Sequence, residues 1–168
     1  MVSVVRTDRE PSARVVSSVR SGKDNLSTRD IVRRLVDSGQ PERTGSGSGA
    51  RAAAAACEKL YRGLSRWVGP DGSHALFNRA LAEARTESAA LDQIRFRHDK
   101  NTYVEGLEET IKARGDAATA EALESVLVHL VELLGRMIGD DMATTLIDRS
   151  IASSAGSEAS SNDRREEA

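Results

Sequence analysis

The most restrictive feature of the sequence is the run from Asp116 to Ile138. Its apolar residues at 123, 126, 127, 130, 131, 134, 137 and 138 follow the helical period, and Val128 and Leu133 widen the stripe. A helix that is apolar over so broad an arc has to be contacted from several sides. That makes it the central member of an all-α bundle. It cannot cross a bilayer cheaply, because Glu124, His129, Glu132 and Arg136 interrupt it.

Other segments supply its neighbours. Cys57, Leu60, Tyr61, Leu64, Trp67 and Val68 form a second stripe, predicting a helix from about Ala50 to Val68 that Gly69-Pro70 ends. Asp71 or Ser73 can cap the next helix, which carries Leu76, Phe77, Ala80, Leu81 and Ala84 on one face. The turn between them is short, so the pair should form an antiparallel hairpin. From Leu91 to His98 the pattern breaks: Ile94 and Phe96 alternate with Arg95 and Arg97. An irregular connector that plugs Ile94 and Phe96 into the core is expected, since a strand would find only the N-terminal valines to pair with. Thr102 is expected to cap a helix with Tyr103, Leu107 and Ile111, ending at Gly115. After Gly139, Asp140 opens a short last helix that turns Met142, Leu146, Ile147 and Ile151 inward. The fold expected is an antiparallel helical bundle of about five helices.

Composition places this bundle within the chain. The 24 Val, Leu, Ile and Phe residues of 51–151 contrast with 11 in 1–50 and none in 152–168. Three regions follow: a flexible arm over 1–49, a bundle domain over 50–151, and a disordered tail over 152–168. The arm holds one short helix over about 27–38, with Ile31, Val32, Leu35 and Val36 on one side, and a Gly/Ser linker at Thr44 to Gly49. That helix is too short to stand alone, so it packs on the body or folds on a partner. The net charge of -2 is a cancellation of +3 in 1–50, -3 in 51–151 and -2 in the tail. So small a surplus makes nucleic acid a weak expectation, although Arg29, Arg33 and Arg34 on the short helix could meet an acidic partner or a phosphate backbone. The single cysteine cannot form an internal disulfide. Acidic residues and a proline stand near the N-terminus, where a signal peptide needs an apolar stretch, so the expected location is cytoplasmic. The 23 Ala and 20 Arg against 4 Lys match the bias of a GC-rich bacterial genome.

No residue pattern announces chemistry. His74, His98 and His129 show no i, i+3 or i, i+4 pairing, so no metal or cofactor is expected, and His74 and His98 read as solvent-facing. Cys57 falls on an apolar stripe and should be a small buried hydrophobe. The acidic pair Asp140-Asp141 begins a helix, where carboxylates cap, and Glu108-Glu109 reads as solvated. His129 lies with Ser125, Glu132 and Arg136 on one polar stripe, which puts it on the surface side near Glu132. In architecture this resembles a histidine phosphotransfer domain, a helical bundle with one accessible histidine. The resemblance makes His129 the alternative phosphoacceptor. That family's motif adds a basic residue three positions on and then a glycine, whereas Glu132 and Leu133 stand here, and a carboxylate repels a phosphoryl group. Gly135 and Gly139 form a G-x-x-x-G that could admit a neighbouring helix within the bundle or across a dimer, with ordinary packing and a helix stop at Gly139 as the simpler account. The function expected is therefore non-enzymatic: a bacterial regulatory module that binds a protein partner, with a homodimer as one form. Nucleic-acid binding through the basic arm is the second alternative. If the aromatics line a pocket, it lies among the first helices of the bundle, where Tyr61, Trp67, Phe77, Phe96 and Tyr103 all fall.

Overall fold

The structure is a computed structural model. It describes residues 27–38, 49–98 and 102–158, with side chains in the last helix as far as residue 152. The elements in order are α1 (Thr28–Ser38), α2 (Gly49–Arg85), a 3-10 turn (Ala89–Leu91), β1 (Arg95–Phe96), β2 (Val104–Glu105), α3 (Leu107–Arg114), α4 (Asp116–Ile138) and α5 (Asp140–Glu158). The all-α class expected from the sequence is what the protein shows, and no described helix is long and apolar enough to cross a membrane.

The corner inside α2 and the junctions from α3 to α4 and from α4 to α5 are single glycines. Gly69 (φ 79°, ψ 164°), Gly115 (87°, 161°) and Gly139 (86°, 150°) share one conformation, in a region that a Cβ all but closes to other residues. Each corner needs no loop because the helical ladders meet at the glycine. The Gly115 N–H donates to the Ile111 carbonyl (2.8 Å), and its own carbonyl accepts from Thr119 N–H (3.2 Å). Gly139 does the same with the Gly135 carbonyl (2.8 Å) and Ala143 N–H (2.9 Å). One residue thereby satisfies backbone groups of the helix before it and of the helix after it. Pro70 follows Gly69 at the first helical position, where a missing N–H costs little.

The first corner makes α2 two arms, 49–68 and 70–85. Tyr61 and Phe77 stand eight residues to either side of Gly69, a spacing of about 24 Å in a straight helix. Their ring centroids are 6.2 Å apart, so the arms fold back as the expected hairpin. The Asp116 carboxylate accepts hydrogen bonds from the amides of Gly49 (2.8 Å) and Ala50 (3.2 Å), so the first arm and α4 start side by side. The second arm runs antiparallel to α4, with Glu83 against Arg136 and Glu87 against Ser125. The Gly69 and Gly139 corners therefore lie at the same pole. From there α5 returns along the first arm, where a Cβ on Gly63 would stand 2.8 Å from Ser150 Cα.

The core forms where these elements converge on α4. Leu123, Val126, Leu127 and Leu130 are sealed against Leu60, Leu64, Phe77, Leu91, Ile94 and Ile147. The short helix expected within the arm also belongs here: Ile31, Val32, Leu35 and Val36 are buried in the same core, and Lys59 Nζ donates to the Ser38 carbonyl at 3.2 Å. Thus α1 packs on the body, and the core extends to the N-terminal side of residue 50. The valine pairs of 1–26 and the linker at 44–48 lie outside the described residues.

Several expectations are corrected. Ile94 and Phe96 are buried as foreseen, but the connector is a β-hairpin, with Arg95 opposite Glu105 and Phe96 opposite Val104. Its second strand occupies sequence expected to be helical, and α3 starts only at Leu107, after Gly106 in the left-handed region (φ 84°). A Cβ at Gly106 would run into the Gln93 carbonyl, so glycine holds the hairpin close to the preceding turn. In α5 Ala143 and Ile147 face inward while Met142 is exposed, and the helix continues to Glu158 where disorder was expected from residue 152. Trp67 and Val68, expected in the core, are also exposed, because their stripe runs past the end of the bundle.

Gly139→Ala and Gly69→Ala should each cost about 1–3 kcal/mol in urea unfolding, although nothing stands within 4 Å of either added Cβ. Gly63→Ala should also destabilise, because it meets α5 backbone. Gly135→Ala should cost least, since its Cβ would meet only the movable end of Asp140.

Candidate functional site

Three places gather polar or exposed groups that core packing does not use. The first is an aromatic cluster over the hairpin. Tyr103 stacks between Tyr61 (centroids 4.0 Å) and Phe96 (5.0 Å), and Phe77 meets it edge-on at 5.4 Å. Four of the five aromatics thus share one site, as the sequence suggested, and Trp67 stands apart. His74, from the second arm, and His98, two residues beyond β1, join the cluster with ring centroids 4.7 Å apart. His74 is half-buried and His98 exposed. Nothing local in the sequence pairs these two, because the hairpin brings them together.

The cluster holds two raised acid groups. Burial pushes the Cys57 thiol from its ordinary 9.0 up to about 12, opposed only in part by a backbone hydrogen bond. Burial likewise drives the Tyr103 hydroxyl well above its ordinary 10.0, with the Tyr61 and Cys57 groups adding repulsion when ionised. Tyr103 Oη and Ser73 Oγ are buried with no hydrogen-bond partner among the described residues. Cys57 is therefore a protonated, inaccessible thiol, as expected for an apolar position. Among the described residues no group of three or more His, Cys, Asp and Glu side chains gathers as a metal centre. A separate cavity between the 3-10 turn and α3, lined by Ala90, Asp92, Thr110 and Arg114, holds about 80 Å³, too little for an organic cofactor.

The second place is the polar stripe of α4. It is a seam between helices, where the sequence suggested a free surface. His129 Nε2 stands 3.3 Å from Glu87 Oε2 and Nδ1 stands 3.8 Å from Glu83 Oε2, with 17% of the side chain exposed. Ser125 donates to Glu87 at 3.2 Å, and Arg136 and Arg79 both reach Glu83, at 3.5 and 3.3 Å. Glu132, the partner expected for His129, contributes its backbone carbonyl to Arg136 Nε. The readable signal was the pair Glu83, in the last turn of α2, and Glu87, in the turn that follows it. A phosphoryl group on either ring nitrogen would face a carboxylate, so this geometry suits tying helices together better than phosphoryl transfer.

The third place is the pole shared by the Gly69 and Gly139 corners. Trp67, Val68, Met137, Ile138 and Met142, all within three residues of a corner glycine, are the exposed large hydrophobic residues among those described. Trp67 is 56% exposed and Met137 and Met142 each 61%. The Arg149 guanidinium lies 5.9 Å from the Trp67 ring centroid, a cation–π distance. Of the other candidate residues, Arg29, Arg33 and Arg34 face solvent on α1 beside exposed Asp30 and Asp37. Gly139 is the corner itself. Gly135 lies against the Asp140 side chain just after the corner, the movable end of which an added Cβ would have to displace.

No protein-family model, curated protein or solved structure matches the chain.

Stability should fall as pH rises from about 9 toward 12. The unfolded chain releases the Cys57 proton near 9.0, while the folded chain holds it to about 12, so alkali favours unfolding. Urea melts at pH 8 and pH 11 should show this loss, smaller in Cys57→Ala, and the native thiol should resist Ellman's reagent at pH 8. Tyr103→Phe, which deletes a buried hydroxyl without a partner, should be neutral or stabilising by about 1 kcal/mol at pH 7.

Proposed function

We propose that this chain is a non-enzymatic interaction module of the bacterial cytoplasm, whose docking face is the apolar pole and whose first occupant there is a second copy of itself. The observation that carries the reading is the collection of Trp67, Val68, Met137, Ile138 and Met142 at one end of an otherwise well-sealed bundle. Five side chains each about half exposed leave apolar surface on the order of several hundred Å², the scale of an interaction site. Tryptophan and methionine are also the residue types enriched in interfaces, and methionine adapts to a facing surface.

The rim favours a second copy over a strongly charged partner. Exposed Arg66 and Arg136 stand with exposed Asp71, Asp140 and Asp141 around the two corners. A surface carrying both signs can meet itself across a two-fold axis, acid to base. A lone, buried thiol fits a reducing compartment, and the Ala and Arg bias fits a bacterial source.

Trp67 is the chain's single tryptophan, so its fluorescence reads the pole directly. Raising the concentration from 1 to about 200 µM should blue-shift its emission and protect it from iodide, in step with a doubling of mass by light scattering. Met137→Asp with Met142→Asp should abolish both changes and leave the helical circular dichroism intact. A chain that stays monomeric but shields Trp67 on adding a protein retained from its host would transfer the face to that partner. A monomer that retains none, with Trp67 exposed throughout, would overturn the reading.

A further inference from the structure

We propose that Met137 and Met142 form a peroxide-sensitive modification site, and that converting both thioethers to sulfoxides releases the chain from its second copy. The release rests on the self-association proposed above, whereas the oxidation stands without it. Sulfur is unevenly placed among the described residues. Cys57 is fully buried and stays protonated at neutral pH, so peroxide meets no accessible thiolate there. Met137, in the last turn of α4, and Met142, in the first turn of α5, are each 61% exposed. The third methionine, Met1, lies outside the described residues. Both accessible thioethers therefore flank one corner glycine, Gly139, at the centre of the apolar pole.

The step needs only hydrogen peroxide as co-reactant. A lone pair on the thioether sulfur attacks one peroxide oxygen, a sulfur–oxygen bond forms and the O–O bond breaks. The departing hydroxide takes the proton left on the new S–OH group and leaves as water. Sulfur has lost an electron pair and peroxide has gained it, so the balance closes. The product is a polar acceptor in place of an adaptable apolar side chain. A sulfoxide oxygen must keep its water or find a donor, and an apolar contact supplies neither. Neither methionine belongs to the core, so the bundle keeps its packing while the pole loses its character. Paired chains cover both sulfurs, so peroxide acts on the free monomer and withdraws it from the pairing equilibrium. Methionine sulfoxide reductases, one for each sulfoxide epimer, reverse the step.

The test treats the full-length chain with millimolar H2O2 at neutral pH, with free methionine as an internal standard. Peptide mass spectrometry should find one added oxygen on each of Met137 and Met142 and none on Cys57. The same oxidation should run several-fold slower at about 200 µM chain than at about 1 µM, because pairing covers the sulfurs. By light scattering the oxidised chain should dimerise at least tenfold more weakly, with its helical circular dichroism unchanged. The two reductases should restore the untreated value. Met137→Gln with Met142→Gln should weaken pairing without peroxide. In Met137→Leu with Met142→Leu the dimerisation constant, whatever its value, should not move on treatment. Met137 and Met142 left intact while free methionine is consumed would overturn the site. Equal dimerisation before and after full oxidation would overturn the release alone. An untreated chain that is monomeric throughout would overturn the self-association, and the release with it, so the untreated arm tells the two failures apart.

Discussion

The bundle depends on a backbone conformation that only glycine tolerates. At Gly69, Gly115 and Gly139 the chain turns from one helix into the next through a single residue near φ +80°, ψ +155°. A longer turn would have to cap the last carbonyls of one helix and the first amides of the next with side chains or water. Here the glycine N–H and carbonyl serve both ladders at Gly115 and Gly139, so the helices meet without a polar loop between them. The same economy leaves little to cover a pole. Apolar residues in the last turn before each corner, Trp67 and Val68 at one and Met137 and Ile138 at the other, end up in solvent.

The charged seam and the aromatic cluster play different parts around this frame. In the Glu83–His129–Glu87 arrangement the outer members Arg79, Arg136 and Glu87 are exposed while His129 and Glu83 are half-buried, and pairs with an exposed member contribute at most about 1 kcal/mol each. Its importance is registration: it fixes which turn of the second arm meets which turn of α4. The aromatic cluster is buried and anchors the hairpin. Arg85 assists from below, its guanidinium donating to the carbonyls of Leu91 (3.1 Å) and Ile94 (2.6 Å) and so holding the chain between α2 and β1 against the helix that precedes it. The hairpin would otherwise be two strands of two residues, far too short to stand alone.

Legibility in the sequence followed the length of the repeating pattern. α4 could be read from Asp116 to Ile138 because its stripe persists for many turns, and the burial of Leu123, Val126, Leu127 and Leu130 followed from spacing alone. Two-residue strands have no period to detect, so Val104-Glu105 was absorbed into the helix after it. Spacing also cannot say where a bundle ends, which is why Trp67 and Met142 read as core. The partners of His129 were misassigned for a related reason. Periodicity identifies neighbours on one helix, Glu132 among them, while Glu83 and Glu87 arrive through the register of two helices. The meeting of His74 and His98 required the hairpin, and no window of sequence contains it.

Single-residue corners also make the helices phase-locked. Each residue inserted into a helix advances everything beyond it by about 100° around the axis, and a loop normally absorbs that rotation before the next element begins. Between α3, α4 and α5 there is no loop to do so. One residue added in the middle of α4 would swing Leu130 and Leu134 away from the core and carry α5 round with them. A chain of this design can change length between Arg85 and Leu107, where the hairpin intervenes, far more readily than anywhere from Leu107 to Ile151. Its lineage should vary there by insertion and elsewhere only by substitution.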